Sequence, residues 1–331
     1  MRAVVCQEFN SDQPLSVGDL PSPDLPSGFV RIAVRACGVN FADTLMVKGQ
    51  YQVKPQLPFA PGLEVSGFIT EVSSDVTGFT VGDRVMACVD FGGYAEEAVA
   101  RASDTYVIPT NMTFVEAAGF SIVYGTSHIG LVNKLKIQPG ETLLVHGAAG
   151  GVGLTAVEIG KALGARVIAT AGGADKLAIT KQYGADDLID YRSEDIRERV
   201  KALTDGRGAD AVYDPVGGSA FDASLRATIP GGRILVLGFA SGTVPQIPAN
   251  ILLVKNLSVI GYYWGAHRKL DPSLITNSFA ELLDWFKAGK IKPHVSHVFP
   301  MEDVNIAHET LTSRKSTGKV VIITGDGAKD K

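Results

Sequence analysis

The run His146-Gly147-Ala148-Ala149-Gly150-Gly151-Val152-Gly153 places four glycines in eight positions. It lies between an apolar run, LLVH at 143–146, and a segment with helical spacing at about 151–164. Without a Cβ the chain can turn tightly there, and Gly153 lets the helix pack closely on a strand. Amide groups freed at a helix start, with the helix dipole, stabilise phosphate charge. The chemistry that fits is binding of a dinucleotide pyrophosphate; a glycine-rich turn without a ligand is the plainer alternative. A dinucleotide with a free ribose 2′-hydroxyl is met by Asp or Glu about 20 residues after such a turn. Here that stretch reads Thr170-Ala171-Gly172-Gly173, with no acid. A carboxylate would repel a 2′-phosphate, so the expected cofactor is NADPH. Lys176 lies just beyond, and is either a partner for that phosphate or an ordinary solvated helix lysine.

The elements that must position this turn alternate strictly. Strands are expected at 143–146, 166–170, 187–190, 209–214, 233–238 and 257–261. Helices are expected at about 151–164, 175–183, 193–204 and 218–227, with a further segment near 247–254. Short, wholly apolar strands separated by helices predict a parallel sheet covered on both faces. Right-handed crossovers then give a doubly wound α/β domain whose ligand crevice lies at the strand carboxyl ends. Residues 1–120 read instead as short β runs broken by Pro, Gly and Asp, such as Phe29 to Ala36 and Glu64 to Val72, a β-rich, barrel-like unit. Val115 to Asn133 has helical spacing. A helix at about 272–288, a strand at 294–299, a helix at 302–312 and a strand at 319–323 close the chain. They are too few for an independent domain, so 262–331 is expected to complete the first domain and 121–261 to form the dinucleotide domain.

Of 331 residues, 45% are hydrophobic and 20% charged, enough to bury a core and to exclude global disorder. A net charge of −4 without a Lys/Arg run argues against a dedicated nucleic-acid or anionic-membrane binder. Cys6, Cys37 and Cys88 are too few and scattered for a disulfide framework or a four-cysteine zinc site. The start, MRAVVCQEFNSDQP, has the character of neither a signal nor a transit peptide, and no run offers about 18 apolar residues. A soluble cytoplasmic protein is expected.

Together with the glycine turn, the segments GVNFADTLMVKGQY (38–51), PGLEVSG (61–67), YDPVGG (213–218) and LGFASG (237–242) form a recognisable pattern. The chain resembles the medium-chain dehydrogenase/reductase superfamily, and within it the zinc-independent quinone oxidoreductases similar to zeta-crystallin. The resemblance implies a GroES-like β-rich catalytic domain built from both chain ends around a central Rossmann domain that binds NADPH. Zinc-dependent relatives carry Cys two residues after a Gly, then Gly-His-Glu. Here Asn40 follows Gly38-Val39, and the second motif reads Gly62-Leu63-Glu64, so no metal is expected. The nearest histidine pair, His294 and His297, is a poor chelate.

Matched position by position, the resemblance implies a 2′-phosphate site of Lys176, Tyr191 and Arg314. It places the pyrophosphate along Gly147, Ala149, Gly150, Gly151, Val152 and Gly153, with Gly172 beyond. Thr126, Gly238, Phe239 and Ser241 would lie at the nicotinamide, and Asn40, Asp43 and Tyr51 would form the polar face of the substrate pocket. Leu45 stands where bacterial quinone reductases carry Tyr. Tyr262-Tyr263-Trp264 either restores aromatic surface at the nicotinamide or is packing or a dimer contact. Without a metal the acceptor must be intrinsically easy to reduce, which points to quinones and related α,β-unsaturated carbonyls, enones or enals. Asn40 would donate to the substrate oxygen or the nicotinamide ribose, and Tyr51 or solvent would supply the proton. An enoyl thioester or acrylyl-CoA-type reductase and a non-catalytic NADPH-binding protein are the alternatives. A homodimer joined through the edge strand near 257–261 is implied.

Overall fold

The computed structural model describes residues 1–11 and 13–325. The chain forms two units: Met1–Ile122 together with the chain from Pro293 on, and the intervening Val123–Lys292. The return to the first unit therefore comes at Pro293, about thirty residues later than the expected 262. The amphipathic helix Pro272–Lys287 explains the difference. It buries Ile275, Phe279 and Leu282 within the central unit, where Phe279 meets the edge of Trp264 and Ser278 hydrogen-bonds His128 at 2.9 Å.

The central unit holds a six-stranded sheet in the order Asp187–Asp190, Arg166–Ala171, Thr142–Val145, Ala209–Asp214, Thr228–Val236, Ser258–Gly261. Every neighbouring pair is parallel. Numbered by sequence, the order is 3-2-1-4-5-6, so the strand order reverses between Thr142–Val145 and Ala209–Asp214, and the ligand crevice of such a sheet lies there. Both strands are buried along their whole length, which is why their interiors, LLV and AVY, are apolar. Thr228–Val236 begins before the apolar RILVLG run because Thr228 pairs with Ala209 across a register shift.

The expected helix at 115–133 is three pieces: Phe114–Ala118, Ser121–Ile129 and a π turn, Gly130–Lys134. Glycines mark the places where other groups press on its backbone. A Cβ on Gly125 would stand 3.0 Å from the Trp264 indole, and one on Gly130 3.0 Å from Leu235.

The outer unit is a predominantly antiparallel sheet in the order Val295–Pro300, Lys319–Ile323, Phe29–Val39, Glu64–Val72, Arg84–Cys88, Thr105–Val107, with Glu97–Arg101 also paired to Phe29–Val39. Lys319–Ile323 runs antiparallel to Phe29–Val39, matching Val320 to Val39. The two ends of the chain thus share one sheet and one core, where Val34 and Val65 lie with Val320 and Ile322. The strands Ser16–Asp19 and Glu97–Arg101 and the helix Phe41–Val47 are additions to the sequence expectation. Among the described residues no helix is long and apolar enough to cross a membrane.

Candidate functional site

In the central unit the site is built where two strands end. Thr142–Val145 enters the turn at His146, and the helix Gly151–Ala162 leaves it. Gly147 has a φ of 57°, a left-handed conformation that favours glycine. A Cβ on Gly153 would lie 2.2 Å from the Gly147 carbonyl oxygen, so the helix closes on the turn only because that position is bare. Gly150 caps the helix without any side-chain hydrogen bond. The orphan amides of the first turn are left for a ligand.

His146 is fully buried and fixes the turn from below. Its Nδ1 lies 3.1 Å from Thr170 Oγ1 and its Nε2 2.7 Å from Ser224 Oγ. Ser224 already donates its hydrogen to the Ala220 carbonyl, so Nε2 carries the proton and Nδ1 accepts from Thr170. Burial pushes the imidazole pKa down, against an opposing pull from Asp214. It is thus a neutral strut joining two strands and a helix.

The next strand end, Asp214, turns through Pro215 to Gly217. Asp214 Oδ1 accepts the amides of Val216 and Gly217 at 2.8 and 2.9 Å. The Gly238–Ser241 loop lies on this turn through Ala240 N to Pro215 O (3.1 Å) and Ser241 N to Val216 O (3.0 Å). Phe239 in it is exposed. A Cβ on Gly147 would meet Val216 at 3.2 Å, so the loops after three strands converge. Thr126, half-buried, sits on the helix that Ser127 fastens to the glycine turn through Val152 O at 2.9 Å. At the end of Arg166–Ala171, a Cβ on Gly172 would stand 2.8 Å from the Tyr191 hydroxyl. Lys176 lies in the first turn of the helix that follows, Ala174–Gln182, whose start has no side-chain cap.

Asn40, Asp43, Tyr51 and Arg314 belong to the outer unit. Asn40 precedes the helix Phe41–Val47, and its N–H donates to Asp43 Oδ2 at 2.7 Å. Its amide Nδ2 donates to Gly38 O (3.2 Å) and Glu64 Oε1 (3.0 Å), and its Oδ1 accepts from Lys319 Nζ at 2.8 Å. Both amide hydrogens are therefore engaged. That leaves none for a substrate oxygen, and Asn40 stands as a fixed strut where a donor was expected. Lys319 Nζ also donates to Val39 O (2.9 Å) and Glu64 Oε1 (2.8 Å), which uses its three hydrogens. Glu64 Oε2 accepts Ile122 N–H at 2.9 Å. Gly38 is required beside this pair, since its Cβ would lie 2.5 Å from Glu64 Oε1.

Asp43 is fully buried and supports Asn40 from behind. Its Oδ2 also accepts the Tyr94 hydroxyl at 2.8 Å, and that hydroxyl lies 3.3 Å from His308 Nε2. Burial pushes the carboxyl up to about 7, only partly offset by the Asn40 amide, Tyr94 and the Lys319 charge. Burial holds His308 down at about 4. The Tyr51 ring packs on the cluster of Cys6, Met46, Phe59 and Leu63. Arg314 is exposed, with a φ of 58°. Of the aromatic triplet, Tyr262 and Trp264 are buried in the central unit and Tyr263 is exposed. Among the described residues, no group of three or more His, Cys, Asp or Glu is gathered to hold a metal ion.

Sequence reasoning missed Lys319 and the role of Glu64. The available signal was a charged residue opening each of two apolar strands, KVVII and EVSGF.

Two family patterns match the chain: an alcohol dehydrogenase GroES-like domain over residues 26–110 and a zinc-binding dehydrogenase domain over 151–288. A quinone oxidoreductase-like protein 2 homolog of Nematostella vectensis is 48% identical over 327 residues, covering 98% of this chain and 89% of that protein. Among solved structures, a mycobacterial protein complexed with NADPH is 35% identical with a TM-score of 0.91, covering 98% of this chain and 100% of that one. Escherichia coli quinone oxidoreductase complexed with NADPH is 31% identical with a TM-score of 0.90, again over 98% and 100%.

Proposed function

The chain belongs to the quinone oxidoreductase branch of the medium-chain dehydrogenase/reductase superfamily, and on that footing we propose that it is an NADPH-dependent, zinc-independent reductase of quinones or related α,β-unsaturated carbonyls. The observation that carries the reading is the bare cradle at the sheet's reversal point. Gly153 leaves room for Gly147 O at 2.2 Å from its missing Cβ, the helix start is uncapped, and a Gly-Gly pair stands where a ribose-binding acid would. Gly147 and the amides of Ala149 and Gly151–Gly153 hold the pyrophosphate, while the Gly150 N–H closes the turn on Gly147 O at 2.9 Å. Gly172, Lys176, Tyr191 and Arg314 serve the 2′-phosphate, and Thr126, Gly238, Phe239 and Ser241 serve the nicotinamide end. When bound, NADPH supplies a hydride.

The outer unit supports the choice of acceptor. Every hydrogen of the Lys319 ammonium and of the Asn40 amide is spent inside the protein, so this network has none to polarise an unactivated carbonyl. A conjugated acceptor needs less help, because its own π system spreads the added charge onto oxygen. Asp43 and Asn40 act as positioning residues, and Tyr51 supplies the proton to the reduced acceptor. Three buried cysteines in no disulfide among the described residues fit a reducing cytoplasm. The edge strand Ser258–Gly261, beside Leu253 and Val254 at 79% exposure each, fits a homodimer contact.

The test is the loss of nicotinamide absorbance when NADPH is mixed with quinones, enals and enoyl thioesters in parallel. Turnover of quinones and enals is expected. Turnover confined to enoyl thioesters would move the assignment to that class, and binding of NADPH without turnover of any acceptor would refute the catalytic reading.

A further inference from the structure

The strand Arg166–Ala171 ends in Gly172-Gly173, and neither glycine is empty space. A Cβ on Gly172 would stand 2.8 Å from the Tyr191 hydroxyl and 2.8 Å from Arg192 Nε; one on Gly173 would stand 3.2 Å from Arg192 Nη1. Gly173 has a φ of 92°, which alone favours glycine. Gly172 has no such backbone need. What its bare Cα provides is room for the guanidinium and phenol to fold over the peptide.

The placement of Arg192 is built from its own loop. Asp190 Oδ1 accepts the Arg192 N–H at 3.0 Å and the Gly173 N–H at 3.2 Å, tying the Asp190–Arg192 turn to the glycine pair. The nearby carboxylate is thus committed to backbone amides. The guanidinium, by contrast, is ion-paired to no carboxylate among the described residues. Immediately after Gly173 the nine-residue helix Ala174–Gln182 begins without a side-chain cap. One exposed acid, Asp175, stands in its first turn, where solvent screens its repulsion.

We propose that Arg192 is a specificity-determining residue: its guanidinium, lying over Gly172-Gly173 beside the Tyr191 hydroxyl, is the cationic wall that receives the 2′-phosphate of the adenosine ribose. The assignment rests on the cofactor reading above and deepens it. Arg192 belongs to the same unit as the glycine cradle, and its turn is tied through Asp190 to the Gly172-Gly173 pair. A planar fork of donors suits a phosphate dianion, and a carboxylate or neutral residue in that place would not discriminate in its favour.

The test is calorimetric titration of the whole chain with NADPH, with NADH and with 2′-phospho-ADP-ribose, which carries no nicotinamide and gives a readout independent of turnover. Arg192→Gln should weaken NADPH and 2′-phospho-ADP-ribose by about tenfold or more, the size of a lost charge-assisted contact, and leave NADH nearly unchanged. Arg192→Lys should recover part of the loss. Gly172→Ala, which keeps both side chains but displaces their far ends, should weaken the same two ligands. A wild type that prefers NADPH while Arg192→Gln keeps the whole preference would overturn the role of Arg192 and leave the cofactor reading standing. A wild type that binds NADH and NADPH alike, or neither, would overturn both.

Discussion

Replacing Asp43 by Asn removes a carboxyl that burial has made reluctant to ionise, and the consequence is a change in how stability depends on pH. Asp43 is fully buried, faces the Tyr94 hydroxyl, and lies in the field of Glu64 and Lys319. Its carboxyl titrates at about 7 in the folded chain against an ordinary 3.8. Below the ordinary value both folded and unfolded chains hold the proton, so ionisation costs nothing. Between the two values the unfolded chain releases it first, so stability falls as pH rises. Above the folded value the whole cost is present: at 1.36 kcal/mol for each pH unit, about 4 kcal/mol. Asn keeps an oxygen to accept from Asn40 N–H and Tyr94, carries no charge, and adds only a constant offset. The stability of Asp43→Asn relative to wild type should therefore climb by about 4 kcal/mol from about pH 4 to about pH 8. Urea unfolding followed by far-UV circular dichroism measures it. Fluorescence is the companion signal, because Trp264 and Trp285 both lie in the central unit and not in the unit that holds Asp43. A difference that stays flat across the same pH range would refute the placement of a strained, ionising carboxyl at this position.

Lys319→Met should cost about 3–5 kcal/mol, the usual result of stripping one partner from a buried ion pair, and Lys319→Met with Glu64→Gln should recover a large part of it in a double-mutant cycle. If the pair of changes is as damaging as the sum of the two, the ion pair is not the reason. Tyr51→Phe should lower turnover by about tenfold or more, as expected for a lost proton donor, with NADPH affinity unchanged by titration; full turnover would remove Tyr51 from the reaction. Val254→Asp, on the exposed helix beside the sheet edge, should convert a dimer to monomer in light scattering, and an unaltered mass would place the contact elsewhere.

Elements of the central unit were legible because a parallel sheet buried on both faces has to be written as apolar runs, and the glycine cradle because its spacing is a backbone requirement. The break at Gly119 and the π turn at Gly130–Lys134 were not legible. Lys319 stands against Gly119, Trp264 against Gly125 and Leu235 against Gly130, each more than a hundred positions away in the sequence. The same reason hid the outer network. Glu64 and Lys319 are 255 positions apart, and each reads locally as a charge at a strand boundary. Only the sheet pairing of Lys319–Ile323 with Phe29–Val39 brings the ammonium to Asn40. Asn40 and Asp43 were singled out as polar residues facing the substrate pocket, a placement that needs their polar atoms to be available. A side chain's hydrogens cannot be counted until its partners are known. Once they are, Asn40 has none to give and Asp43 has no surface. For the rest of the site the lesson runs the other way. Arg192, in the run YRSED, belongs to no motif that the sequence singles out. The missing Cβ of Gly172, which no backbone angle demands, is what marks it out.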